Sequence, residues 1–547
     1  MTYNALLPPP DVFGLPDQFS AWRPHQDAAA LAVFESAAPA IAVVAPTGFG
    51  KSPLAIAVHA LMRAVNPDTR TAYLTVTKGL QEQVARDFAP MGMVQIKGQS
   101  NYECIKIRDD EGRSEGCDSG PCHAGTECEL KASGCLYYDH FRRAKWNALV
   151  TPNYDYWLNV YRGAEKDDDG LGRFDLLILD EAHSAPDKLC DFLATEIKGE
   201  VVEGVLNSRL PPRDADLPGW GDWAGKHRQI AQQRYDYLAA AAKDHSHRLS
   251  FDERRDLKLL RGLLTQLSTI EIAADDAPNW IVDRSRGNDA KFDPIWPGKY
   301  LGQLTQGISK TLLLSATIRP KTLELLGFKR ADTDFLEYPS SFPVERRPVI
   351  AIPTIAMRYG MSMDQEREWI RRVDQIIARR LDRKGIVHAV SYARAKLLVE
   401  NSAHRQFMMI NEPRTTQTTI AKFKAAPAPA ILVSPSIGTG FDFPYTDAEY
   451  CVIVKIPFAS VKENPVLKAR SESDKSYLNY CAMQAVVQMA GRGMRAVDDQ
   501  CETFILDAQW NNWFLRDAQQ FAPRWFLDAL RTSGYIPPPP PKLEVEE

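Results

Sequence analysis

The chain has 547 residues, of which 44% are hydrophobic, which is enough for several buried cores and roughly three or four domains. With 66 Lys+Arg against 70 Asp+Glu, the net charge of −4 excludes a uniformly basic protein, so any path for nucleic acid must be a local groove. The N-terminus lacks a basic region followed by an apolar core, and no segment reaches the ~18 apolar residues of a membrane span. We therefore expect a cytoplasmic protein (host-cytoplasmic if viral), with reduced thiols and no membrane partner.

The first predicted elements are a strand, a glycine-bearing loop and a helix. An apolar run at 41–44 predicts the strand, and residues 52–65 have the pattern of the helix. Between them lies Ala45-Pro-Thr-Gly-Phe-Gly-Lys51-Ser52, in which backbone amides can converge on phosphates, the lysine adds a charge and the serine supplies an oxygen to Mg²⁺. Ala45 stands where the general pattern has its first glycine. The predicted nucleotide-binding residues of this loop are Thr47, Gly48, Gly50, Lys51 and Ser52.

A cluster of cysteines follows a second predicted strand at 72–76. It holds five of the nine cysteines of the chain, and in a reducing compartment clustered cysteines are better explained as metal ligands than as disulfides. Four thiolates bind either a 4Fe–4S cluster or zinc, and the spacing alone leaves both open. The candidate ligands, of which four would be used, are Cys104, Cys117, Cys122, Cys128 and Cys135.

An acidic pair lies at the end of a later apolar strand. Predicted strands at 148–151 and 176–179 are followed by Asp180-Glu181-Ala182-His183. Phosphoryl transfer needs a carboxylate for Mg²⁺ and another group for the attacking water, and we assign these roles to Asp180 and Glu181. The cysteine cluster therefore lies between two parts of one ATP site.

The rest of the chain predicts a helical insertion and a second α/β unit. Residues 190–275 show little strand pattern, and Ser250 is a plausible cap for a helix that runs to Leu267. The strand pattern returns at 312–317, and a second alternating unit begins near Arg347. Its predicted strands are 385–390, 431–433, 450–454 and 503–506. Strands separated by helices predict a second parallel α/β domain.

A pair of arginines near the end of this unit completes the predicted catalytic set. In Gln488-Met-Ala-Gly-Arg492-Gly-Met-Arg495 the two arginines lie three residues apart, on one face of a helix, and can reach a γ-phosphate bound on the opposite domain. The predicted catalytic residues are Lys51, Asp180, Glu181, Gln488, Arg492 and Arg495.

The order of these motifs resembles superfamily 2 helicases, and the cysteine insertion resembles that of the XPD/DinG-type iron–sulfur DNA helicases. The resemblance implies two RecA-like parallel-sheet motor domains of the α/β class, with ATP and Mg²⁺ between them. It implies that Gln26 in Arg23-Pro-His-Gln26 reads adenine, that Asp442 in a motif V segment contacts the nucleotide, and that His183 couples the ATP site to motif III. Thr439 departs from the family pattern, in which many relatives carry Glu.

The same resemblance implies the domain plan and favours iron–sulfur over zinc, with Cys104 and Cys135 as outer ligands and two of the three middle cysteines between them. The implied segments are motor domain 1 at 1–103, 146–189 and 301–327, a cluster domain at 104–145, a helical arch at 190–300, motor domain 2 at 328–535 and a disordered, proline-rich tail at 536–547.

The implied function is an ATP-dependent helicase that moves 5′ to 3′ along single-stranded DNA as a monomer and opens forked duplexes, with the cluster domain as a wedge. RNA–DNA hybrids are a further substrate class. The alternatives are a translocase that removes protein or RNA without processive unwinding, and a redox-sensing DNA-binding ATPase, against which the arginine pair argues. Candidate DNA contacts are Arg142, Arg143 and Lys145, with aromatic neighbours. We expect Trp280 and Trp296 to be core residues, and Cys190, Cys451, Cys481 and Cys501 to be buried structural thiols.

Overall fold

The structure is a computed structural model of the chain. The residues that it describes are 6–108, 114–120, 122, 128–160, 170–243, 250–285, 287–358, 360–435, 443, 445–462, 464–494 and 499–541. None of the helices in this part of the chain combines the length and apolar character needed to cross a membrane.

Strands and helices alternate along most of the described chain. The strands are β1 (Ala40–Val44), β2 (Thr71–Leu74), β3 (Val94–Gln95), β4 (Glu103–Arg108), β5 (Ser114–Gly116), β6 (Leu149–Thr151), β7 (Leu176–Asp180), β8 (Thr195–Ile197), β9 (Trp280–Asp283), β10 (Ala290–Pro294), β11 (Lys310–Ser315), β12 (Thr333–Glu337), β13 (Val349–Ile355), β14 (Lys384–His388), β15 (Met408–Ile410), β16 (Ala430–Ser434), β17 (Tyr450–Ile453), β18 (Glu502–Asp507) and β19 (Leu530–Thr532). The helices are α1 (Gln26–Glu35), α2 (Lys51–Val65), α3 (Lys78–Asp87), α4 (Leu136–Trp146), α5 (Tyr154–Val160), α6 (Ala185–Leu193), α7 (Gly199–Leu206), α8 (Leu217–Lys243), α9 (Phe251–Asp275), α10 (Gly302–Thr305), α11 (Pro320–Leu326), α12 (Met363–Ala378), α13 (Tyr392–Asn401), α14 (Thr416–Ala425), α15 (Pro465–Ser473), α16 (Tyr477–Ala490), α17 (Trp510–Trp513) and α18 (Arg524–Ala529).

The first sheet has seven parallel strands in the order β12–β1–β11–β7–β2–β6–β3. Its strand β1 is buried throughout and pairs on both sides, with Ala40 opposite Thr311 of β11 and Thr333 of β12. Alternate residues of a strand face opposite sides, and here both sides are packed, which explains the continuous apolar run in the sequence. Because β12 belongs to this sheet, motor domain 1 extends past the boundary predicted at 327.

The second sheet also has seven parallel strands, in the order β15–β16–β14–β17–β18–β13–β19. Strands β14, β16 and β17 are buried along their whole length. Two parallel sheets flanked by helices confirm the α/β class and the two RecA-like domains.

Two segments interrupt motor domain 1. The first contains the antiparallel pair β4–β5 and helix α4, between β3 and β6. The second contains α7, α8 and α9, in which Leu260, Leu263 and Leu267 are buried at helical spacing. The Ser250 cap is confirmed, because its hydroxyl accepts the Glu253 N–H at 3.2 Å. This insertion is not wholly helical, since β8, β10 and β9 form a small antiparallel sheet.

The predicted disordered tail is wrong for residues 536–541. Ile536 is 4% exposed, and three arginines near the end of α12 hold the segment. Arg379 donates to Ile536 O at 2.7 Å, Arg380 donates to Pro537 O at 3.2 Å, and Arg383 donates to Pro540 O. Prolines lack an N–H but keep a carbonyl acceptor, so guanidinium donors suit this segment. Residues 542–547 lie outside the described part of the chain.

Candidate ATP site and cysteine cluster

The glycine-bearing loop leaves the end of β1 and enters α2 at Lys51. Gly48 has φ 77° and Gly50 has φ 82°, a left-handed backbone that glycine adopts without strain. A methyl group added at Gly48 would overlap the Phe342 ring, and one added at Gly50 would overlap the Gln26 carboxamide. Both glycines are therefore required by close approach as well as by conformation.

The back of the loop is fixed by two side chains at the start of α1. Gln26 is 2% exposed, and its Nε2 donates to Gly50 O at 2.8 Å. Its Oε1 accepts the Arg23 N–H at 3.0 Å, and the Arg23 guanidinium donates to Gly48 O. Gln26, predicted to read adenine, thus lies directly against the loop that the sequence assigns to the phosphates.

The acidic pair lies beside the loop lysine. Lys51 Nζ is 3.1 Å from Glu181 Oε1. Burial, together with the neighbouring Glu181 charge, raises the pKa of Asp180 to about 6. Burial works against ionisation of Glu181 too, but Lys51 and His183 outweigh it and hold its pKa well below its usual range. One ionised carboxylate therefore faces the lysine, and the other, with its raised pKa, lies beside it.

Tyr73 on β2 is a site residue that the sequence did not reveal. Its hydroxyl oxygen lies 3.1 Å from Ser52 Oγ and also hydrogen-bonds Asp180. The two residues predicted to hold Mg²⁺ therefore meet at one phenol, and their oxygen ligands suit that ion. A single tyrosine within an apolar strand forms no sequence motif, so this role could not have been identified from the sequence.

His183 connects the acidic pair to the second domain. Its Nδ1 lies 2.8 Å from Ser315 Oγ and 3.3 Å from Glu181 Oε2, and its Nε2 lies 2.7 Å from Gln488 Nε2. One ring nitrogen of His183 thus faces the acidic pair and the other faces the second domain. The contact between His183 and Ser315 joins the segment after β7 to the end of β11.

The loop that follows α16 faces the phosphate loop across the cleft. A methyl group added at Gly491 would lie 3.6 Å from Thr47 Cγ2, and Arg492 is only 7% exposed. Trp525 of the second domain also reaches across, donating from Nε1 to Ala316 O at 3.0 Å. Arg495 and Asp442, the remaining predicted site residues, lie outside the described residues.

Five free thiols come together in the first insertion. Cys104 and Cys117 are buried, and a methyl group added at Gly120 would lie 3.2 Å from Cys104 Sγ and 3.7 Å from Cys122 Sγ. Burial raises the pKa of Cys117 to about 12, and the adjacent Cys135, Cys104 and Cys122 add to this shift. Cys117 Sγ also donates to a backbone carbonyl, that of Glu103, at 3.5 Å.

Among the described residues, no three Cys, His, Asp or Glu side chains stand in a coordinating arrangement. The thiols of Cys104 and Cys122 nevertheless flank Gly120, and those of Cys135, Cys104 and Cys122 lie close enough to act on Cys117. Four soft sulfur donors suit iron–sulfur clusters or zinc. The residues present therefore fit such a group in type and proximity.

Helix α4 contains the predicted DNA contacts, and one of them, Arg142, already has partners within the protein. Its guanidinium donates to Lys131 O at 2.6 Å and pairs with Asp139. Trp146, the last residue of the helix, is 82% exposed and lies just before β6 begins. Strands β6 and β1 run parallel in one sheet, and the phosphate loop follows the far end of β1. Lys145 and Trp146 therefore lie at the opposite edge from the nucleotide loop.

The residues predicted to be structural behave largely as expected. Trp280 is 4% exposed and donates to Tyr300 OH at 2.8 Å, and Trp296 packs edge-on against Tyr477. Of the remaining cysteines, three are buried and Cys481 is partly buried; the buried ones are Cys190, Cys451 and Cys501.

Two family models match separate parts of the chain. Residues 19–206 match the family described as "Type III restriction enzyme, res subunit", and residues 377–527 match "Helicase C-terminal domain". A sequence comparison with curated proteins gives no match.

Solved structures of XPD helicases share the whole fold. One described as "XPD_Helicase" is 16% identical with a TM-score of 0.58, over 93% of this chain and 98% of that chain. Xpd4 of S. tokodaii is 11% identical with a TM-score of 0.55, over 93% of this chain and 100% of that chain. A third, described as "XPD_APO", is 14% identical with a TM-score of 0.53, over 93% of this chain and 99% of that chain. Residues 377–527 therefore carry a helicase C-terminal domain, and the chain has the fold of the XPD helicases.

Proposed function

We propose that the protein is a DNA helicase that moves 5′ to 3′ along a single strand and opens forked duplexes. The observation that carries this proposal is the 2.7 Å contact between Gln488 of the second domain and His183 beside Glu181. Because residues of both domains meet at the acidic pair, closure of the cleft and hydrolysis are linked, as a translocating motor requires.

Within this cycle each site residue has a proposed role. Lys51 would leave its ion pair with Glu181 for the terminal phosphates, Ser52 and Asp180 would hold Mg²⁺, and Glu181 would orient the attacking water. Arg492 would meet the γ-phosphate from the second domain. In this structure Arg492 is 7% exposed and its charge acts on the buried Cys451 thiol of the second domain, so the proposed role requires its guanidinium to turn toward the cleft.

We further propose that the first insertion holds a 4Fe–4S cluster through four thiolates. The proposed ligands are Cys104, Cys117, Cys122 and Cys135, because the sulfurs of Cys104 and Cys122 flank Gly120 and the thiols of Cys135, Cys104 and Cys122 all act on Cys117, whereas Cys128 acts on Cys122 alone among these. Cys128 is then the spare thiol. When bound, such a cluster supplies rigidity to a segment with little apolar core, and a rigid obstacle is what a wedge needs. Zinc is the competing metal.

Strand-displacement assays test the function. Forked, 5′-tailed and 3′-tailed DNA duplexes and a matching RNA–DNA hybrid are each incubated with protein, ATP and Mg²⁺. Unwinding of forked and 5′-tailed DNA, without unwinding of the 3′-tailed duplex, is the expected result. Unwinding that requires a 3′ tail would refute the direction.

A translocase without unwinding activity is the second candidate. It would displace streptavidin from a biotinylated single strand at the expense of ATP and leave every duplex intact. Size-exclusion chromatography with light scattering tests the proposed monomer, and a stable dimer would contradict it.

A further inference from the structure

The side chain of Gln26 is enclosed, and both ends of its carboxamide are bonded within the protein. It is 2% exposed, its Nε2 donates to Gly50 O at 2.8 Å, and its Oε1 accepts the Arg23 N–H at 3.0 Å. A carboxamide distinguishes adenine by accepting from the exocyclic amino group and donating to the ring nitrogen N7, which engages the same two ends. To read a base in that way, Gln26 would have to give up the bonds that it makes here.

These bonds hold the phosphate loop. The carbonyl of Gly50 is bonded by Gln26, and that of Gly48 is bonded by the Arg23 guanidinium, so both left-handed glycines are held by neighbouring side chains. A methyl group added at Gly50 would meet Gln26 and Arg23 alike. A loop that presents its amides to phosphates needs this shape whatever base the nucleotide carries. Gln26 and Arg23 therefore act as positioning residues for the triphosphate.

An aromatic ring lies beside the loop. Tyr338 follows β12, and its N–H donates to Val44 O at 3.1 Å, directly before the loop begins. Its partly exposed ring packs against Phe49 of the loop, with centroids 5.5 Å apart, and lies 6.4 Å from the ring of the exposed His25. Stacking on such a ring tolerates every base, because each base has a π face.

We propose that the site selects its substrate by the triphosphate and not by the base, and that purine and pyrimidine nucleoside triphosphates are all hydrolysed. Tyr338 stacks on the base, while Gln26 and Arg23 shape the loop for the phosphates. In each case water adds to the γ-phosphorus and the bond to the β,γ-bridging oxygen breaks, which releases the nucleoside diphosphate, inorganic phosphate and a proton. This departs from the adenine-reading role that the resemblance implies for Gln26. It deepens the proposed helicase function, on which it rests, by naming the class of nucleotide.

Phosphate-release rates with ATP, GTP, CTP and UTP, measured without nucleic acid, test the breadth of the site. The expected kcat/KM values lie within about tenfold of one another, because stacking discriminates weakly between bases. A site built to hydrogen-bond one base rejects the others by a factor of ~10⁴ or more, because its buried polar groups are left unpaired. A preference for ATP beyond about a hundredfold would overturn the proposal.

Magnesium tripolyphosphate, which has no base, separates support of the loop from reading of a base. Its inhibition constant against ATP hydrolysis measures phosphate binding alone. Gln26→Ala should raise this constant about tenfold, and the KM for ATP and for CTP by the same factor, because the Gly50 carbonyl loses a donor. Unchanged inhibition by tripolyphosphate, with a loss confined to ATP, would show that Gln26 reads adenine. Gln417→Ala, at an exposed glutamine of α14, is the matched control.

Tyr338→Ala should have the opposite signature. It should raise the KM of all four nucleotides about tenfold and leave inhibition by tripolyphosphate unchanged, whereas Tyr338→Phe should match the wild type because the ring is kept. An equal loss for tripolyphosphate would show that Tyr338 supports the loop, and unchanged KM values would show that it does not touch the base. Either result would overturn its assignment. Far-UV circular dichroism checks that each variant is folded.

Unwinding assays separate this inference from the proposed function. Opening of forked DNA by the wild-type protein is measured with each of the four nucleotides. If ATP supports unwinding and the other three are not hydrolysed, the helicase function stands and the base-tolerant site is wrong. If none of the four is hydrolysed, the proposed function is wrong.

Discussion

Gln488 Nε2 lies 2.7 Å from His183 Nε2, and this is a contact between the two motor domains. It places the last turn of α16 against the acidic pair at the end of β7.

A double-mutant cycle measures the energetic coupling between Gln488 and His183. Gln488→Ala, His183→Ala and the double variant should all lose ATP turnover by similar factors, because each change removes the same contact. Losses that multiply would show that the residues act separately. Gln484→Ala, which removes a hydrogen bond to Tyr480 on the same helix, is the control.

Removal of the loop lysine should abolish hydrolysis. Lys51→Ala takes away the charge for the terminal phosphates and leaves Glu181 without its 3.1 Å partner. Glu181→Gln should bind ATP and fail to turn over, because only the group that orients water is lost. Phosphate release and equilibrium binding of a fluorescent ATP analogue measure the two steps. Lys258→Ala on α9 is a distant control, and near wild-type hydrolysis in Lys51→Ala would refute the site.

Arg492→Ala should separate binding from chemistry. The arginine approaches from the second domain, so ATP affinity should stay within a few-fold of wild type while turnover falls roughly a thousandfold or more. Single-turnover hydrolysis and ATP binding are the measurements. An equal loss of both would identify Arg492 as a structural residue.

Metal content distinguishes iron–sulfur from zinc. Anaerobically purified protein should be brown and contain roughly four irons per chain. Single Cys→Ser changes at positions 104, 117, 122 and 135 should lose iron, whereas Cys128→Ser should retain it. Colourless protein with one zinc would contradict the cluster. If Cys135→Ser retains its iron, Cys135 is not a ligand of the cluster and its assignment is wrong.

Loss of a ligand should affect unwinding more than hydrolysis. The ATP site lies between the motor domains, whereas strand separation also needs a rigid obstacle. Cys104→Ser should therefore retain substantial DNA-stimulated ATPase activity while unwinding falls much further. Cys128→Ser, compared in the same two assays, is the matched control. A strictly proportional fall would make the insertion a general folding element.

Deletion of residues 536–547 should destabilise motor domain 2. Arg380 is fully buried and pairs with Glu502 through contacts of 2.7 and 3.0 Å, and the deletion removes its further acceptor on Pro537. The loss of three charged hydrogen bonds should lower the free energy of unfolding by about 3 kcal/mol, measured by urea titration. Deletion of residues 542–547 alone is the control and should change little.

The elements that the sequence predicted are those whose residues are buried on both faces. Strands such as β7 and β16 appear as continuous apolar runs because helices cover both sides of each sheet. The phosphate loop and acidic pair were visible because their chemistry fixes residue types at fixed spacings. Strand β12 was missed because its residues are only partly buried at the sheet edge, which leaves no apolar run.

Other features depend on contacts between distant segments. The proline-rich tail was misjudged because composition describes the segment alone, and its order comes from the arginines that follow α12. The role of Tyr73 depends on which strands become neighbours, which no local pattern encodes. The arrangement of the arch was missed for the same reason, since β8 pairs with β10, far along the chain.

The position of β1 determines when the enzyme can form during synthesis. Its two neighbours, β11 and β12, are made only after both insertions have been translated. A nascent chain that stops before residue 337 carries the complete phosphate loop, but the strand that supports it has at least one unpaired edge. Long-range strand pairing of this kind is slow, and until it is complete the unpaired edge of β1 can pair with a strand of another chain. The insertions, whose strands pair within each insertion, are free to fold first, and the ATP site is among the last parts of motor domain 1 to be completed.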